Sequence, residues 1–69
     1  MKYEIKYILK ELRKEKNFTQ KHVAKLLNKS ETGYASWEQG LAEPSLNDIR
    51  LLCEIYEVSS DYILGLKNY

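Results

Sequence analysis

Side chains with catalytic or metal-binding chemistry are few and scattered in this 69-residue chain. His22 is its one histidine and Cys53 its one cysteine, and no His, Cys or Asp cluster has the spacing of a zinc site. No part of the sequence assembles a nucleophile, a general base and an oxyanion site. We therefore expect no enzymatic activity, no metal and no cofactor, and we expect His22 to lie exposed on the surface.

Cys53 has a simpler interpretation as a packing residue. It shares one helical face with Ile49, Leu52 and Tyr56, and a free cysteine packs like a small apolar side chain. A single cysteine forms no intrachain disulfide, which fits a reducing compartment. The chain also contains no apolar run near the roughly 18 residues that a membrane span needs, and no secretory leader. These observations predict a cytoplasmic protein.

The charged residues are distributed unevenly along the chain. Residues 1–30 carry nine Lys or Arg against three acids, whereas residues 31–69 carry two against seven. The first part therefore has a net charge of +6 and the second of −5, although the whole chain is only +1. This asymmetry favours a nucleic-acid or partner surface in the first half, although a solvated lysine-rich helix would give the same pattern.

Apolar spacing and capping residues predict an all-α chain of five short helices. A stripe at three-to-four spacing marks a first helix over about residues 4–16, and Asn17 and Phe18 end it. The expected N-caps of the four later helices are Thr19, Ser30, Ser45 and Ser59. Ser45 and Asp48 form a capping-box pattern, and Gly40 is expected to end the third helix. The last helix is expected to carry Tyr62, Ile63 and Leu66.

The second and third helices together match a helix-turn-helix over about residues 20–39. Ala24 supplies the small side chain needed where two helices cross closely, and Asn28 tolerates the positive φ of a tight turn. The apolar positions that would hold the two helices together are Val23, Tyr34 and Trp37. The alternative is an ordinary helical hairpin, since small helix bundles share such patterns.

At these positions the chain resembles the Cro/phage-repressor family of helix-turn-helix proteins, also called the XRE family. The resemblance is carried by Leu12-Arg13, Phe18-Thr19-Gln20, Val23-Ala24, Leu27, Ser30, Tyr34, Trp37-Glu38-Gln39-Gly40, Pro44-Ser45 and the ending 58–65. It implies a compact, λ-repressor-like DNA-binding domain over residues 1–69, of bacterial or phage origin. It also implies a homodimer that binds double-stranded DNA at a two-fold operator. We expect this protein to regulate transcription as a repressor, and no small-molecule effector is implied.

The resemblance implies roles for individual residues. It places a recognition helix on residues 30–39, with Glu31, Thr32 and Ser36 facing base edges in the major groove. The other expected DNA contacts on these two helices are Gln20, Ser30, Gln39 and the Tyr34 hydroxyl. Residues 30–39 hold no Lys or Arg, so we expect Lys21 and Lys29 to contact phosphates, while Lys25 is equally well explained as solvated surface.

Two further expectations concern structure and assembly. Arg13 and Glu38 match a charged pair that ties the first helix to the third. Tyr62, Leu66 and Tyr69 are expected to form the dimer surface, unless they simply close the core. The alternative function is a protein-interaction module of the same fold, such as an antitoxin-like subunit or an anti-repressor partner, and the acidic second half of the chain motivates it.

Overall fold

The computed structural model describes residues 4–66, which form five helices and no strand. The helices are α1 (Ile5–Glu15), α2 (Gln20–Leu26), α3 (Glu31–Gln39), α4 (Leu46–Tyr56) and α5 (Ser60–Ile63). The predicted all-α, five-helix class is confirmed. The last helix is shorter than predicted, because it ends at Ile63 and leaves Leu66 outside it.

The predicted N-caps begin four of the helices. The hydroxyls of Thr19, Ser30, Ser45 and Ser59 each accept a hydrogen bond from a backbone N–H one turn into the helix. The capping box is complete, since the Asp48 carboxylate also accepts from the Ser45 backbone at 3.0 Å. Each cap satisfies a donor that the first helical turn would otherwise leave unpaired.

Left-handed residues separate the helices. Asn28 has a φ of 59° in the turn between α2 and α3, and Gly40 has a φ of 80° at the end of α3, as predicted. Asn17 at 59° and Glu57 at 57° take the same conformation. A Cβ at Gly40 would also lie 2.8 Å from Cδ of Lys6, so the lysine side chain would have to move.

Every helix contributes to one apolar core. The largest fully buried side chains are one from each helix, namely Leu9, Val23, Tyr34, Leu52 and Ile63. Cys53, which helical spacing placed in the core, is only half-buried at its margin, and burial together with Glu54 raises the pKa of its thiol. Because α1 and α2 both pack on α3, the core fixes the direction of the third helix. Over residues 4–66, no helix has the length and apolar character needed to cross a membrane.

Candidate nucleic-acid interface

The N-terminal end of α3 presents polar side chains to solvent. Ser30, Glu31 and Thr32 are all exposed, and the Ser30 hydroxyl caps the helix by accepting from the Gly33 N–H at 3.0 Å. A Cβ at Gly33 would lie 3.0 Å from this same hydroxyl oxygen. The glycine, which costs about 1 kcal/mol of helix propensity relative to alanine, therefore leaves room for the cap.

Two further predicted contacts lie along the same helix. Gln39 is exposed at its last position. Ser36 is half-buried, and its hydroxyl donates to the Gly33 carbonyl at 2.6 Å, so the oxygen keeps lone pairs but not a free proton. In this structure Ser36 is thus an acceptor toward any ligand of α3.

The prediction that Tyr34 contacts DNA is wrong. Its side chain is fully buried, and its hydroxyl lies 2.8 Å from the Tyr56 hydroxyl on α4. Burial raises the pKa of both phenols, that of Tyr56 to about 12, so both stay neutral. The ring of Tyr34 lies in the core, as predicted, and its hydroxyl is buried with it. The hydroxyl therefore joins α3 to α4 and does not reach a phosphate.

The predicted pair of Arg13 and Glu38 is present and is bidentate. Arg13 Nε donates to Glu38 Oε2 at 2.7 Å, and its second terminal nitrogen donates to Oε1 at 3.0 Å. The Glu38 side chain is 1% exposed and that of Arg13 16%. Arg13 also donates to the Phe18 carbonyl at 3.0 Å, so one guanidinium joins α1, the entry to α2, and α3.

Gln20 makes a contact that the sequence did not predict. Its amide Nε2 donates to Glu38 Oε1 at 3.1 Å, which fixes the start of α2 against α3. We call Arg13, Gln20 and Glu38 the Glu38 network. Burial by itself would raise the pKa of Glu38, but hydrogen bonds from Arg13, Tyr34 and Gln20 outweigh it and hold the pKa below its ordinary value. The carboxylate is therefore charged, and it orients Gln20.

The predicted phosphate-binding lysines lie in different surroundings. Lys21 is exposed in the first turn of α2, and Lys25 is exposed one turn later. Lys29 is also exposed, but its Nζ lies 3.6 Å from Oδ1 of Asp48. Burial would raise the pKa of Asp48, but hydrogen bonds from Ser45 and the charge of Lys29 lower it overall. Lys29 is thus partly neutralised before any ligand arrives.

The residues predicted to form a dimer surface do not share one environment. Tyr62 is half-buried and packs against the core, where it lines a groove with Leu12 and Val58. Leu66 is exposed, and Tyr69 lies outside the described residues. Packing against the core accounts for Tyr62 without a dimer.

Metal-binding side chains do not cluster within the described residues. Within residues 4–66, no three His, Cys, Asp or Glu side chains come together in a way that would hold a metal ion. His22 is exposed on α2, where its ring lies 4.6 Å from that of Phe18.

A family model described as helix-turn-helix matches residues 9–63. The chain belongs to the helix-turn-helix family. The resemblance to Cro/phage-repressor proteins is thereby confirmed, and this family is one of transcriptional regulators rather than an enzyme class.

Curated helix-turn-helix relatives are found in Bacillus subtilis. The HTH-type transcriptional regulator AnsR is 37% identical over 57 residues, which cover 83% of this chain and 49% of AnsR. The HTH-type transcriptional regulator ImmR is 35% identical over 57 residues, covering 83% of this chain and 45% of ImmR. The chain thus spans about half the length of the curated relatives it matches.

Solved structures share the helix-turn-helix fold. The P22 c2 repressor protein, in complex with a synthetic operator, superposes with a TM-score of 0.87 at 22% identity, covering 94% of this chain and 98% of that one. A transcriptional regulator from Listeria innocua gives a TM-score of 0.89 at 22% identity, covering 100% of this chain and 64% of that one. The likeness extends over α1 to α5 and establishes the fold.

Proposed function

We propose that the chain is a DNA-binding transcriptional regulator that binds a two-fold operator as a homodimer and represses transcription. In this proposal α3 enters the major groove, with half-sites about 34 Å apart along the DNA. Residues 1–69 act as one DNA-binding domain, and no cofactor takes part. The relatives AnsR and ImmR are both transcriptional regulators, which supports the regulatory role.

The observation that carries the proposal is the exposed N-terminal end of α3 on a rigidly held helix. Glu31 and Thr32 are exposed there, while Trp37 and Glu38, near the other end of the helix, are buried. Rigid support matters because direct readout depends on hydrogen bonds whose donors and acceptors are already aligned. The Glu38 network and the core together supply that support.

The electrostatics assign different tasks to the two helices. Glu31 in the first turn of α3 is an acceptor suited to the N4 amino group of cytosine. Attraction to phosphate then comes from Lys21. Lys29 contributes less, because Asp48 offsets part of its charge. Affinity for random DNA is therefore expected to be modest, and specificity to come from α3.

Binding to random duplex DNA, measured against salt concentration, tests the proposal. A DNA-binding protein loses affinity linearly on a log–log plot, with a slope of about −0.9 for each phosphate contact. We expect Lys21→Ala to reduce the slope by about one contact. Lys10→Ala is the matched control, because Lys10 is an exposed lysine on α1 outside the predicted contacts, and it should leave the slope unchanged. Binding that does not respond to salt contradicts the proposal.

The same measurement distinguishes a DNA-binding regulator from the alternative, a protein-interaction module. Two exposed acids favour this second candidate, Glu31 in the first turn of α3 and Glu43 in the loop after it. Such a module shows almost no salt-dependent affinity for DNA.

Selection of bound sites from a random duplex library then tests the two-fold operator, since a homodimer enriches an inverted repeat. Placing the selected site over a reporter promoter tests repression.

A further inference from the structure

The two carboxylate oxygens of Asp48 face different groups. Oδ2 accepts from the Ser45 backbone N–H at 3.0 Å and from the Ser45 hydroxyl at 2.9 Å, within the capping box of α4. Oδ1 lies 3.6 Å from Nζ of Lys29. The Asp48 side chain is only 8% exposed, so water hydrates it poorly. One oxygen therefore holds the start of α4, and the other faces a cation of the helix-turn-helix.

Lys29 lies directly before α3, since it precedes the N-cap Ser30. Its backbone N–H donates to the Ala24 carbonyl at 2.9 Å, and its neighbour Asn28 holds the left-handed turn, so the backbone is fixed at this point. The Lys29 side chain is 43% exposed, and its flexible four-carbon stem lets the ammonium group swing. The ammonium group can thus exchange one anionic partner for another while the surrounding backbone stays in place.

A DNA phosphate offers the Lys29 ammonium group the same chemistry as the Asp48 carboxylate. Both present anionic oxygens that accept charge-assisted hydrogen bonds. Lys29 must leave Asp48 before it meets a phosphate, so the loss of the internal pair reduces the gain at the DNA. The uncovered carboxylate also attracts a cation from solution, which offsets part of the cation release that drives DNA binding. Both effects weaken binding to every base sequence alike.

We propose that Asp48 is an internal counterion that competes with DNA phosphate for Lys29 and so limits the affinity of the chain for duplex DNA. This inference rests on the proposed function and deepens it, because it names a residue outside the helix-turn-helix that sets the strength of a phosphate contact. Asp48 acts through Lys29 and is a positioning residue. Since a partly exposed ion pair contributes little free energy, the effect on affinity is a few-fold.

Binding of the whole chain to a random duplex, measured against salt concentration, tests the proposal. Asp48→Asn removes the charge and keeps the size and an oxygen that accepts from Ser45, so the cap should persist. Asp61→Asn is the matched control, because Asp61 is also an acid in the first turn of a helix but lies exposed on α5. We expect Asp48→Asn to tighten binding about two- to fivefold at low salt and to steepen the log–log slope by a fraction of one contact. Asp61→Asn should leave both near wild type.

The same substitution in a Lys29→Ala background shows whether Asp48 acts through the lysine. Lys29→Ala should itself weaken binding, and Asp48→Asn should then have almost no effect, because the group for which Asp48 competes is gone. Equal tightening with and without Lys29 would overturn the proposal, since it would mean that the carboxylate simply repels DNA. Unchanged binding in Asp48→Asn or in Lys29→Ala, or equal tightening in Asp61→Asn, would also overturn it.

Circular dichroism of each variant confirms that it is folded. If Asp48→Asn does not fold, Lys29→Ala is compared with Lys21→Ala, since both substitutions replace exposed lysines. Lys29→Ala should reduce the salt slope, but by less than Lys21→Ala, because Lys29 must leave Asp48 to meet a phosphate; equal reductions contradict the proposal. A wild type whose binding does not respond to salt overturns the proposed function and this inference together. Salt-dependent binding that is the same in wild type and Asp48→Asn overturns the inference alone.

Discussion

Removing the guanidinium of Arg13 tests how far the Glu38 network stabilises the fold. Arg13→Ala removes two charge-assisted hydrogen bonds from a carboxylate whose side chain is 1% exposed. The charge that remains can be hydrated only through the space that the guanidinium leaves. The variant therefore leaves a buried charge with part of its partners missing, which is one of the costlier defects a small core can carry.

The magnitude follows from what is left around Glu38. Removing one partner of a buried ion pair typically costs about 3–5 kcal/mol. Here Gln20 still donates to the carboxylate, and some water reaches the place that Arg13 occupied, since Arg13 is 16% exposed. We therefore expect the free energy of unfolding to fall by about 3 kcal/mol, which for a domain of this size lowers Tm by roughly 12–24 °C.

Urea unfolding of a double-mutant cycle measures this effect. Glu38→Gln removes the buried charge and keeps the shape, so the double variant should be more stable than Arg13→Ala alone, with a coupling of about 2 kcal/mol. Lys14→Ala, the neighbouring exposed cation, is the control and should change the free energy by less than about 0.5 kcal/mol. Additive losses in the cycle, or equal effects of Arg13→Ala and Lys14→Ala, would refute the reasoning.

Three further outcomes are expected. Glu31→Gln should shift the preference at one base of each half-site from cytosine toward adenine, a discrimination of about 1–3 kcal/mol. Site selections run in parallel on both proteins measure this, and identical base preferences would show that Glu31 does not contact a base. The pKa values of Glu38 and Asp48 are lowered in the folded chain, so their stabilisation is complete above the ordinary carboxyl pKa of about 4 and is lost as pH falls through the lower folded values. Urea midpoints should therefore be lower at pH 3 than at pH 6, and equal midpoints would contradict this. Gly40→Ala should lower the free energy of unfolding by about 1–2 kcal/mol because of its positive φ and the nearby Lys6, and an unchanged thermal midpoint would show that the site tolerates a side chain.

Local chemistry made most of the fold predictable. A serine or threonine hydroxyl reaches only the first turn of the helix that follows it, so the caps at Thr19, Ser30 and Ser59 could be placed from neighbouring residues. Asn28 and Gly40 were predictable for the same reason, since each tolerates a positive φ. Glu57 was not, because its residue type disfavours that conformation. There the half-buried Val58 donates its N–H to the Cys53 carbonyl and packs against the core, which imposes the left-handed turn before it.

The candidate site was less predictable, because its contacts join distant residues. Arg13 and Glu38 were paired through a family resemblance, but nothing in the spacing of Gln20 and Glu38 reveals that they touch. The prediction for Tyr34 was wrong for a different reason. A tyrosine has an apolar ring and a polar end, and a sequence does not tell whether the hydroxyl meets water or a buried partner such as Tyr56.

The chain has one tryptophan, and its position makes it a built-in optical probe. Trp37 is buried on the inner side of α3, in edge contact with the Tyr34 ring at 5.7 Å, and it also lines a groove beside Leu46. Indole emission responds to the polarity of its surroundings, so unlabelled protein would report a loosening of α3 from the core as a red shift. A DNA ligand at the exposed end of α3 would leave the emission almost unchanged, so fluorescence would distinguish DNA binding from a loosening of α3 in one cuvette.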